Sequence, residues 1–238
     1  MKRVTLISDT HAKHYQLNGD LGSGDILIHA GDFMTDGYSQ TEARQFFDWF
    51  DAINTYETKI FIAGNHDRVM QNEPETMRGI LTGHKTIDYL EDDTCVLYND
   101  GHNGDFPEDN IRIYGSPWQP TFFNWAFNLP RNGPELAEKW AAIPDNTDIL
   151  ITHGPAWGYN DTTQYDRNRH LGCELLRERI DVIRPKIHVS GHIHSGHGHY
   201  FDGHTHHFNA SVLNERYNYA NKPFTFDWNH ITNEIVWR

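Results

Sequence analysis

The stretch VTLISDTH (residues 4–11) decides the fold, because it joins a short apolar run directly to a carboxylate and an imidazole. Runs this short, rich in Ile and Val and bounded by polar residues, are typical of buried strands rather than helices. Similar runs recur at residues 26–28, 60–62, 149–151 and 187–189. The sequence therefore predicts five buried strands, each of which ends at a group of polar side chains.

Helical patterns lie between these runs. Ser39 and Glu42 have the spacing of a capping box, and the apolar residues that follow keep the three-and-four spacing of one helical face. A second helix is predicted from about Pro134 to Ala142, and a third over residues 173–183. Strands and helices in alternation predict an α/β architecture with helices covering the faces of the sheets.

The last part of the chain has a different pattern. From Thr205 to Arg238, short alternating runs occur without a helical period, which predicts antiparallel strands. No repeat, low-complexity segment or long linker interrupts the 238 residues, a length that can bury a substantial core. We therefore expect a single domain over residues 1–238, with residues 68–147 as the least regular stretch, carrying loops over a site.

The composition excludes several classes of function. Hydrophobic residues make up 37% and aromatic residues 13%, too many for a disordered tail or linker. The net charge of −13 opposes the phosphate neutralisation on which general nucleic-acid coating depends. Two cysteines exclude a disulfide framework, and there is no apolar run of about 18 residues that would span a membrane. These features favour a cytoplasmic protein with neither a membrane nor a long nucleic acid as its partner.

The polar residues at the predicted strand ends carry the chemistry. They are, in chain order, Asp9-Thr10-His11, Gly31-Asp32, Gly64-Asn65-His66-Asp67, Thr152-His153 and Gly191-His192-Ile193-His194. Ligands in open α/β folds bind beyond the carboxyl ends of the strands, so all five groups can meet at one edge. Together they offer carboxylates, imidazoles and an amide oxygen, without a thiolate, which suits Mn, Fe, Zn or Mg.

Each group alone has an ordinary structural explanation. A lone Asp-x-His is usually an exposed turn, Gly-Asn-His-Asp is typical of a tight turn, and Gly-His-Ile-His can be a strand edge with two exposed rings. Five such groups in this order, each after a strand-like run, make coincidence a poor explanation. The set therefore indicates a metal site built from distant parts of the chain.

As a set, these motifs resemble those of the calcineurin-like metallophosphoesterases. That superfamily has the order D-x-H, G-D, G-N-H-[D/E], a later strand-end His and G-H-x-H, which this chain matches from Asp9 to His194. Within it, the chain is most similar to the metallophosphoesterase-domain-containing (MPPED-type) branch. That likeness rests on LIHAGDF at 27–33, on YGSPWQP and FFNWAFNLP between residues 114 and 130, and on ITHGP at 151–155.

The resemblance implies a fold and a site. The fold would be a four-layer αββα sandwich, in which two mixed β-sheets are flanked by helices. The site would hold two divalent metal ions. Their ligands would be Asp9, His11 and His194 for the first ion and Asn65, His153 and His192 for the second, with Asp32 bridging the two.

His66 would be no ligand in such a site but an outer-sphere acid or anion clamp. We group Asp67 with His66 as catalytic, because a carboxylate beside an imidazole helps to set the pKa that an acid needs. The partner of His66 stays open, however, between Asp67, Asp36 and none.

The charge of such a site favours a phosphate ester. Two divalent ions, two carboxylates and a bridging hydroxide sum to about +1 when the ligating imidazoles are neutral. Metals about 3.5–4 Å apart would lower the pKa of the water between them, supply the nucleophile and clamp the oxygens of an in-line displacement. Protonated His66 would then donate to the leaving alkoxide. The ligand set suits several metals, of which we favour Mn.

One departure from the motif of a neighbouring branch narrows the range of expected substrates. Phosphoprotein phosphatases continue from the bridging Asp as G-D-x-V-D-R-G, whereas this chain continues as Asp32-Phe33-Met34-Thr35-Asp36. Thr35 stands where that branch has its second Asp, and Asp36 where it has Arg. The departure weakens the protein-phosphatase hypothesis.

Three residues are predicted to bind the substrate. Trp118 and Phe122 belong to an aromatic segment that either walls a pocket, where a ring could stack on a base, or packs a long loop onto the core. Arg131 lies in a loop-like segment from which it could contact a phosphate or ribose. The His-rich stretch 197–207 is interpreted as a polar surface beside the site rather than as an auxiliary metal or phosphate clamp.

Three hypotheses for the function follow. The first is a dimetal phosphodiesterase acting on small phosphodiesters or nucleotides, with cyclic nucleotides leading because the branch resemblance points to them. A net charge of −13 repels long polyanions but leaves a locally positive site open to a small anion. The second is a phosphomonoesterase or protein phosphatase. The third is a catalytically weak nucleotide-binding or scaffold protein, which we would expect to have lost ligands or the acid. The oligomeric state is not predicted.

Overall fold

Two sheets form the frame of the molecule. The computed structural model describes residues 1–98 and 110–238. Within these ranges the strands are β1 (Lys2–Ile7), β2 (Gly24–His29), β3 (Tyr56–Phe61), β4 (Ile87–Tyr89), β5 (Asp93–Leu97), β6 (Ile111–Ser116), β7 (Gln119–Pro120), β8 (Asn128–Leu129), β9 (Ile149–Thr152), β10 (Thr162–Thr163), β11 (Asp166–His170), β12 (Ile187–Ser190), β13 (Gly198–Phe201), β14 (His206–Asn209), β15 (Phe224–Asn229) and β16 (Glu234–Trp237). The helices are α1 (Gln40–Ala52), α2 (Arg68–Asn72), α3 (Pro74–Leu81), α4 (Pro134–Ala141) and α5 (Glu174–Ile183). The five apolar runs predicted as strands lie in or at the ends of β1, β2, β3, β9 and β12.

Both large sheets are mixed. In the described part of the chain, the first sheet has the order β16-β15-β1-β2-β3-β4 and the second the order β13-β14-β12-β9-β6-β5. Strands β1 to β4 run parallel, whereas β15 is antiparallel to β1 and to β16. In the second sheet β6, β9, β12 and β14 run parallel, with β5 and β13 antiparallel at the edges. The parallel centres point several strand ends in one direction.

Three apolar layers hold the sheets and helices together. Leu6 of β1 and Ile151 of β9 belong to a buried cluster between the two sheets. Phe46 of α1 lies in a second cluster that joins the first sheet to α1 and α3, and Trp140 of α4 lies in a third that joins the second sheet to α4 and α5. Helix, sheet, sheet and helix therefore stack in four layers, which confirms the αββα sandwich of two mixed β-sheets flanked by helices.

Helix α1 supports a loop that carries one of the polar groups. Ser39 Oγ accepts a hydrogen bond of 3.2 Å from the Glu42 amide, so the predicted cap starts the helix. The Phe46 ring stacks on Phe33 at a centroid distance of 4.3 Å and an interplanar angle of 12°. Full burial of one such ring stabilises the fold by about 1.5–3 kcal/mol. Because Phe33 follows Asp32 directly, this packing fixes the loop after β2.

Two regions differ from the predicted pattern. Strands β15 and β16 are antiparallel as expected, but β14 is parallel to β12, because the β13–β14 hairpin brings the chain back alongside it. Residues 68–147 are more regular than expected, since they include α2, α3, α4 and strands β4 to β8. Residues 99–109 of that stretch lie outside the described residues.

No helix in residues 1–98 and 110–238 is long and apolar enough to cross a membrane.

Candidate metal centre

Five strand ends meet where the edges of the two sheets face each other. The ends of β1, β2 and β3 belong to the first sheet and those of β9 and β12 to the second. His153 Nδ1, after β9, lies 2.9 Å from the carbonyl oxygen of Ala30, after β2. The backbone N–H of His192, after β12, donates to both carboxylate oxygens of Asp9, after β1, at 3.0 Å. These bonds bring together loops that are far apart in the sequence.

The first group of possible metal ligands consists of Asp9, His11 and His194, all of them buried. His194 Nε2 lies 3.4 Å from Asp9 Oδ1 and 3.3 Å from His11 Nε2. One ligand atom from each residue falls within 4.8 Å of the other two. Atoms that share one ion at about 2.0–2.2 Å must lie this close together. The group can therefore hold one divalent cation.

A second group consists of Asp32, His153 and His192. His153 Nε2 lies 3.2 Å from Asp32 Oδ2 and 3.0 Å from Asn65 Oδ1, which adds an amide oxygen to the group. Asp32 Oδ2 also lies 3.8 Å from His11 Nε2 of the first group. Asp32 is therefore adjacent to both groups, and the structure brings all seven predicted ligands to one place.

The position of the hydrogen on each imidazole ring shows whether the site is suited to a cation. Three backbone carbonyls contact ring nitrogens: Met34 O lies 3.0 Å from His11 Nδ1, Ala30 O 2.9 Å from His153 Nδ1, and Asn214 O 3.0 Å from His194 Nδ1. A carbonyl only accepts, so each of these Nδ1 atoms carries the hydrogen and each neutral ring presents a lone pair on Nε2. These lone pairs face carboxylate and amide oxygens and, in one case, each other. Such a set of acceptors needs cations between its members, which fits two metal ions.

The pKa values of these residues without metal are consistent with a site that needs positive charge. Burial opposes charge on His153 and His194, but the carboxylates of Asp32 and Asp9 outweigh it and raise the pKa of each ring to about 9. Burial lowers the pKa of His192 to about 3. The pKa of Asp32 is held well below its usual value because, although burial opposes ionisation, His153 and other imidazoles favour it. Protons on two histidines thus compensate the carboxylates when no cation does.

The backbone at the centre takes an unusual conformation. Four proposed ligands have positive φ, namely Asp9 (55°), His11 (39°), Asp32 (57°) and His192 (66°). The left-handed region is uncommon for residues other than Gly, although Asp and His visit it more readily than most. Positive φ at several positions of one site marks a functional constraint that the surrounding structure must support.

Glycines allow the loops to approach the ligands. A Cβ atom on Gly191 would lie 2.1 Å from Ser8 Oγ and 2.2 Å from Asp9 Oδ2. A Cβ atom on Gly64 would lie 2.3 Å from Asp32 Oδ1. No side chain fits at these distances, so these two motif glycines are required by packing against the carboxylates.

Asp67 contacts the backbone of the loops that carry the proposed ligands and is not itself in either ligand group. Its carboxylate accepts hydrogen bonds from the backbone amides of Asp32 (2.9 Å), Met34 (2.9 Å) and Gly64 (2.7 Å). Burial and the nearby Asp32 carboxylate raise the pKa of Asp67, and the amide donors oppose that rise. Among the described residues, no hydrogen bond joins Asp67 to His66. Asp67 thus bonds to the loops of the proposed ligands, and its catalytic role stays a prediction.

His66 stands at the rim of the first ligand group. Its backbone N–H donates to Asp32 Oδ1 at 2.7 Å, and its Nδ1 donates to the backbone carbonyl of Thr35. The hydrogen-bond partner of the His66 ring is thus the Thr35 carbonyl rather than Asp36 or Asp67. The ring lies with His11 and Asp32 in a cluster whose ligand atoms are within 4.8 Å of one another. With Nδ1 bonded to the Thr35 carbonyl, Nε2 is the nitrogen of this ring that can act on a ligand.

Two aromatic residues at the centre carried no distinct signal in the sequence. The Trp125 ring lies against His66 at a centroid distance of 4.0 Å, and Arg68 lies over its indole at 4.5 Å. The Tyr217 ring lies 4.8 Å from His11 and 5.2 Å from His194. Trp125 belongs to the aromatic segment already noted, whereas nothing in the sequence around Tyr217 marks it.

A cavity of about 500 Å³ opens beside the centre, lined by His192 and His194 together with Phe122 and Arg131. Phe122 is 45% exposed, and its ring meets that of His192 edge to face at 5.1 Å. The guanidinium of Arg131 donates to Glu174 and to two backbone carbonyls, so its charge is already paired.

Trp118, predicted to bind the substrate, is not among the described residues that line this cavity. Its indole N–H donates to Asp92 at 2.9 Å, and the Lys139 ammonium lies 4.5 Å above its ring. These contacts hold it against the core, as in the packing interpretation, and a role in substrate binding stays a prediction.

The His-rich stretch is internal in part. His206 and His207 are buried, and His207 contacts Asp202 at 3.0 Å and His188 at 3.3 Å. The polar-surface interpretation fits the exposed His204 but not these two. These two histidines are adjacent on β14, all four residues of which are buried, so both faces of this strand are covered, which composition alone does not reveal.

The fold and the centre define the class of the protein. The family model described as calcineurin-like phosphoesterase matches residues 2–196, which include every proposed ligand. The chain belongs to the calcineurin-like phosphoesterase family, whose members are dinuclear-metal-dependent phosphoester hydrolases.

More particularly, the chain is similar to metallophosphoesterase domain-containing protein 1 of Homo sapiens and of Mus musculus. It is 37% identical to each over 246 residues, which cover 94% of this chain and 70% of the relative. It is also 33% identical to a protein of Caenorhabditis elegans, over 94% of this chain and 59% of that protein. These relatives confirm the MPPED-type branch.

Solved structures share the fold at low sequence identity. The protein TT1561 of Thermus thermophilus superposes with a TM-score of 0.61 at 11% identity, over 99% of this chain and 97% of the other. The phosphopantetheinyl hydrolase of Mycobacterium tuberculosis superposes with a TM-score of 0.58 at 15% identity, over 90% of each chain. These likenesses support the architecture alone.

Proposed function

We propose that the chain is a phosphodiesterase that hydrolyses small phosphodiesters at two metal ions, with cyclic nucleotides as the leading substrates. The observation that carries the proposal is the position of Asp32. Its Oδ2 lies 3.8 Å from His11 Nε2 and 3.2 Å from His153 Nε2, so one carboxylate adjoins both ligand groups. A bridge of this kind suits a pair of ions about 3.5–4 Å apart, the arrangement that serves phosphoryl displacement.

The proposed ligands divide into two sets that share Asp32. The first set is Asp9, His11 and His194, and the second is Asn65, His153 and His192. When bound, two divalent ions would attract the phosphoryl oxygens and lower the pKa of the attacking water. The chain's own contribution is orientation, since the carbonyls of Met34, Ala30 and Asn214 fix the ring tautomers.

His66 is the proposed general acid. Its Nδ1 is engaged by the Thr35 carbonyl, so in the protonated ring the Nε2–H is the hydrogen available to a leaving oxygen. Trp125 packs on the ring and Tyr217 lies 6.4 Å from it, which limits the orientations the imidazole can take. A fixed donor aimed at the leaving group is what protonation of a poor leaving alkoxide requires.

Charge and cavity size favour a small diester. A chain with a net charge of −13 repels long polyanions, whereas two metal ions would make the centre itself positive. The adjoining cavity of about 500 Å³ lies in the range of small-molecule sites, and Phe122 gives it an aromatic wall. A nucleoside-sized arm of a phosphodiester fits these features.

Three further proposals rest on the sequence rather than on geometry. We propose manganese as the resident metal, the cytoplasm as the compartment, and one domain over residues 1–238. Metal analysis of the protein purified without added metal tests the first, and fractionation of cells tests the second. Limited proteolysis tests the third, because a single domain gives no stable fragment of intermediate size.

A substrate panel tests the proposed function. The panel contains 3′,5′- and 2′,3′-cyclic nucleotides, bis-p-nitrophenyl phosphate and p-nitrophenyl phosphate, each assayed with Mn, Mg, Zn or EDTA. We expect metal-dependent turnover of diesters, abolished by EDTA and lowered at least about 100-fold by Asp32→Asn. Faster turnover of the monoester than of every diester would instead indicate a phosphomonoesterase. Metal binding without any hydrolysis would support the non-enzymatic alternative.

A further inference from the structure

Each sheet places a buried histidine beside a threonine that adjoins a proposed metal ligand. In the first sheet, His29 Nε2 lies 2.9 Å from the Oγ1 of Thr10, which separates two ligands of the first ion. In the second sheet, His188 Nε2 lies 2.9 Å from the Oγ1 of Thr152, which directly precedes a ligand of the second ion. All four residues are at most 1% exposed.

The two pairs occupy equivalent places in the architecture. His29 lies on β2, opposite Ile7 of the parallel strand β1, and Thr10 follows the end of β1. His188 lies on β12, opposite Leu150 of the parallel strand β9, and Thr152 ends β9. In both sheets a histidine on one strand therefore holds the end of the parallel neighbour that delivers ligands.

The hydrogen bonds of the first pair have a defined direction. The backbone N–H of Gly31 donates to His29 Nδ1 at 3.2 Å, so the ring hydrogen lies on Nε2 and is donated to Thr10 Oγ1. His29 thereby ties the loop of Thr10 to the loop of Gly31, which precedes Asp32, the residue that would bridge the two ions. The ring is enclosed by aromatic side chains, with the Phe46 centroid 5.0 Å away.

The second pair closes a turn around a ligand. The hydroxyl of Thr152 donates to the carbonyl of Gly154 at 2.7 Å, a bond that spans His153. Thr152 Oγ1 therefore accepts from His188 Nε2. The other nitrogen of that ring, Nδ1, lies 3.3 Å from His207 Nδ1, so the His207 ring packs next to it on the far side from Thr152.

We propose that His29 and His188 are positioning residues, each acting through its threonine on one of the two metal ions. The inference rests on the proposed dimetal function. Ligands tolerate little displacement around an ion, and partners outside the ligand sphere commonly govern metal affinity by about 10- to 100-fold. Because Thr10 lies between Asp9 and His11 of the first group and Thr152 precedes His153 of the second, each pair acts mainly on the group that its threonine adjoins.

The test removes one hydroxyl at a time and measures metal affinity. Thr10→Val and Thr152→Val keep the side-chain shape but take away the acceptor of the histidine. Each is made in the full chain and in two single-site backgrounds, His192→Ala, which keeps the first ligand group, and His194→Ala, which keeps the second. Mn²⁺ and Zn²⁺ are titrated into the metal-free proteins by calorimetry.

The expected result is selective. Thr10→Val raises the Kd about 10- to 100-fold in the His192→Ala background and less than about threefold in the His194→Ala background, and Thr152→Val does the reverse. In the full chain, each substitution shifts a different one of the two binding steps. Thr10→Ser and Thr152→Ser restore the affinity, because the hydroxyl is restored.

A matched control separates positioning from general stability. Thr5 is buried on β1, and its Oγ1 accepts from the Tyr56 hydroxyl at 2.8 Å, away from the centre. Thr5→Val is expected to lower the unfolding temperature without changing either Kd. Equal weakening of both sites by Thr10→Val or Thr152→Val, or no weakening, would overturn the inference. Selective weakening in a protein that binds two ions but hydrolyses nothing would overturn the proposed function alone.

Discussion

Asp32 Oδ2 lies 3.2 Å from His153 Nε2, although Asp32 follows a strand of the first sheet and His153 follows a strand of the second. The distance is set by the packing of one sheet on the other, since the apolar cluster between them holds both strand ends. Without a metal ion, this carboxylate helps to raise the pKa of His153 to about 9 even though burial opposes charge on the ring. Metal binding and the packing of the sheets are therefore coupled.

Added metal should stabilise the fold. A ligand that binds the native state at 100 times its Kd contributes about 2.7 kcal/mol, which in a chain of this size raises the unfolding temperature by roughly 5–10 °C. We expect this shift when Mn²⁺ is added to EDTA-treated protein, followed by differential scanning fluorimetry. Asp32→Asn serves as the control and should show a much smaller shift; an equal shift in that variant would place the ions elsewhere.

Loss of His66 should depend on the leaving group. His66→Ala is expected to lower kcat about 10²- to 10⁴-fold for diesters with alkyl leaving groups, because these need a proton as the bond breaks. Esters of p-nitrophenol leave readily without one and should lose less than about tenfold. Steady-state kinetics on both substrate types measures the difference, with metal content checked in each preparation. The same loss for both leaving groups would contradict the acid role.

Gly191→Ala should disrupt the first ligand group. The added Cβ would lie 2.2 Å from Asp9 Oδ2, so either the carboxylate or the loop must move. We expect a loss of about 1–3 kcal/mol in the free energy of unfolding together with weaker metal binding. Gly19→Ala is the matched control, because nothing lies within 4 Å of its added Cβ. Urea unfolding with calorimetry distinguishes the two variants, and a Gly191→Ala protein with unchanged metal affinity would refute the packing argument.

Asp227 provides a test of pH dependence away from the centre. The side chains of Arg3 and Arg238 hydrogen-bond to its carboxylate and lower its pKa to about 2, against about 3.9 in an unfolded chain. A carboxyl with a depressed pKa stabilises the folded state above the unfolded value, and this contribution is lost as the pH falls from about 4 to about 2. Asp227→Asn should therefore unfold a few degrees lower at pH 7, and the difference from the unchanged protein should disappear towards pH 2. Thermal scans across this range measure it, and a difference that persists at pH 2 would argue against the ion pairs.

The strand ends could be predicted because their signals are local. A run such as Ile26-Leu27-Ile28 followed shortly by Gly31 and Asp32 shows both the strand and the polar group that it delivers. The order of five such groups then indicates one edge of an α/β fold. Helices α1 and α4 were also visible in local capping and periodicity, as Ser39 and Pro134 illustrate.

Other features depend on contacts that residue type does not reveal. The partner of His66 is the backbone carbonyl of Thr35, which no motif specifies. Trp118 and Trp125 lie seven positions apart in one aromatic segment, yet Trp118 packs against the core and Trp125 packs on His66. Tyr217 lies at the centre because the chain turns back towards the metal ligands after β14, and no local sequence pattern predicts this turn.

The positive φ values at Asp9, His11, Asp32 and His192 limit how the centre can be re-engineered. Glutamate would supply the same oxygen donors as aspartate, but it lacks the tolerance of the left-handed region that Asp, Asn and His share. β-Branched residues would be strained at all four sites whatever they contributed to coordination. Stereochemistry and ligand chemistry thus select the same small set of amino acids. A change of metal preference is therefore better sought in residues that contact the ligands than in the ligands themselves.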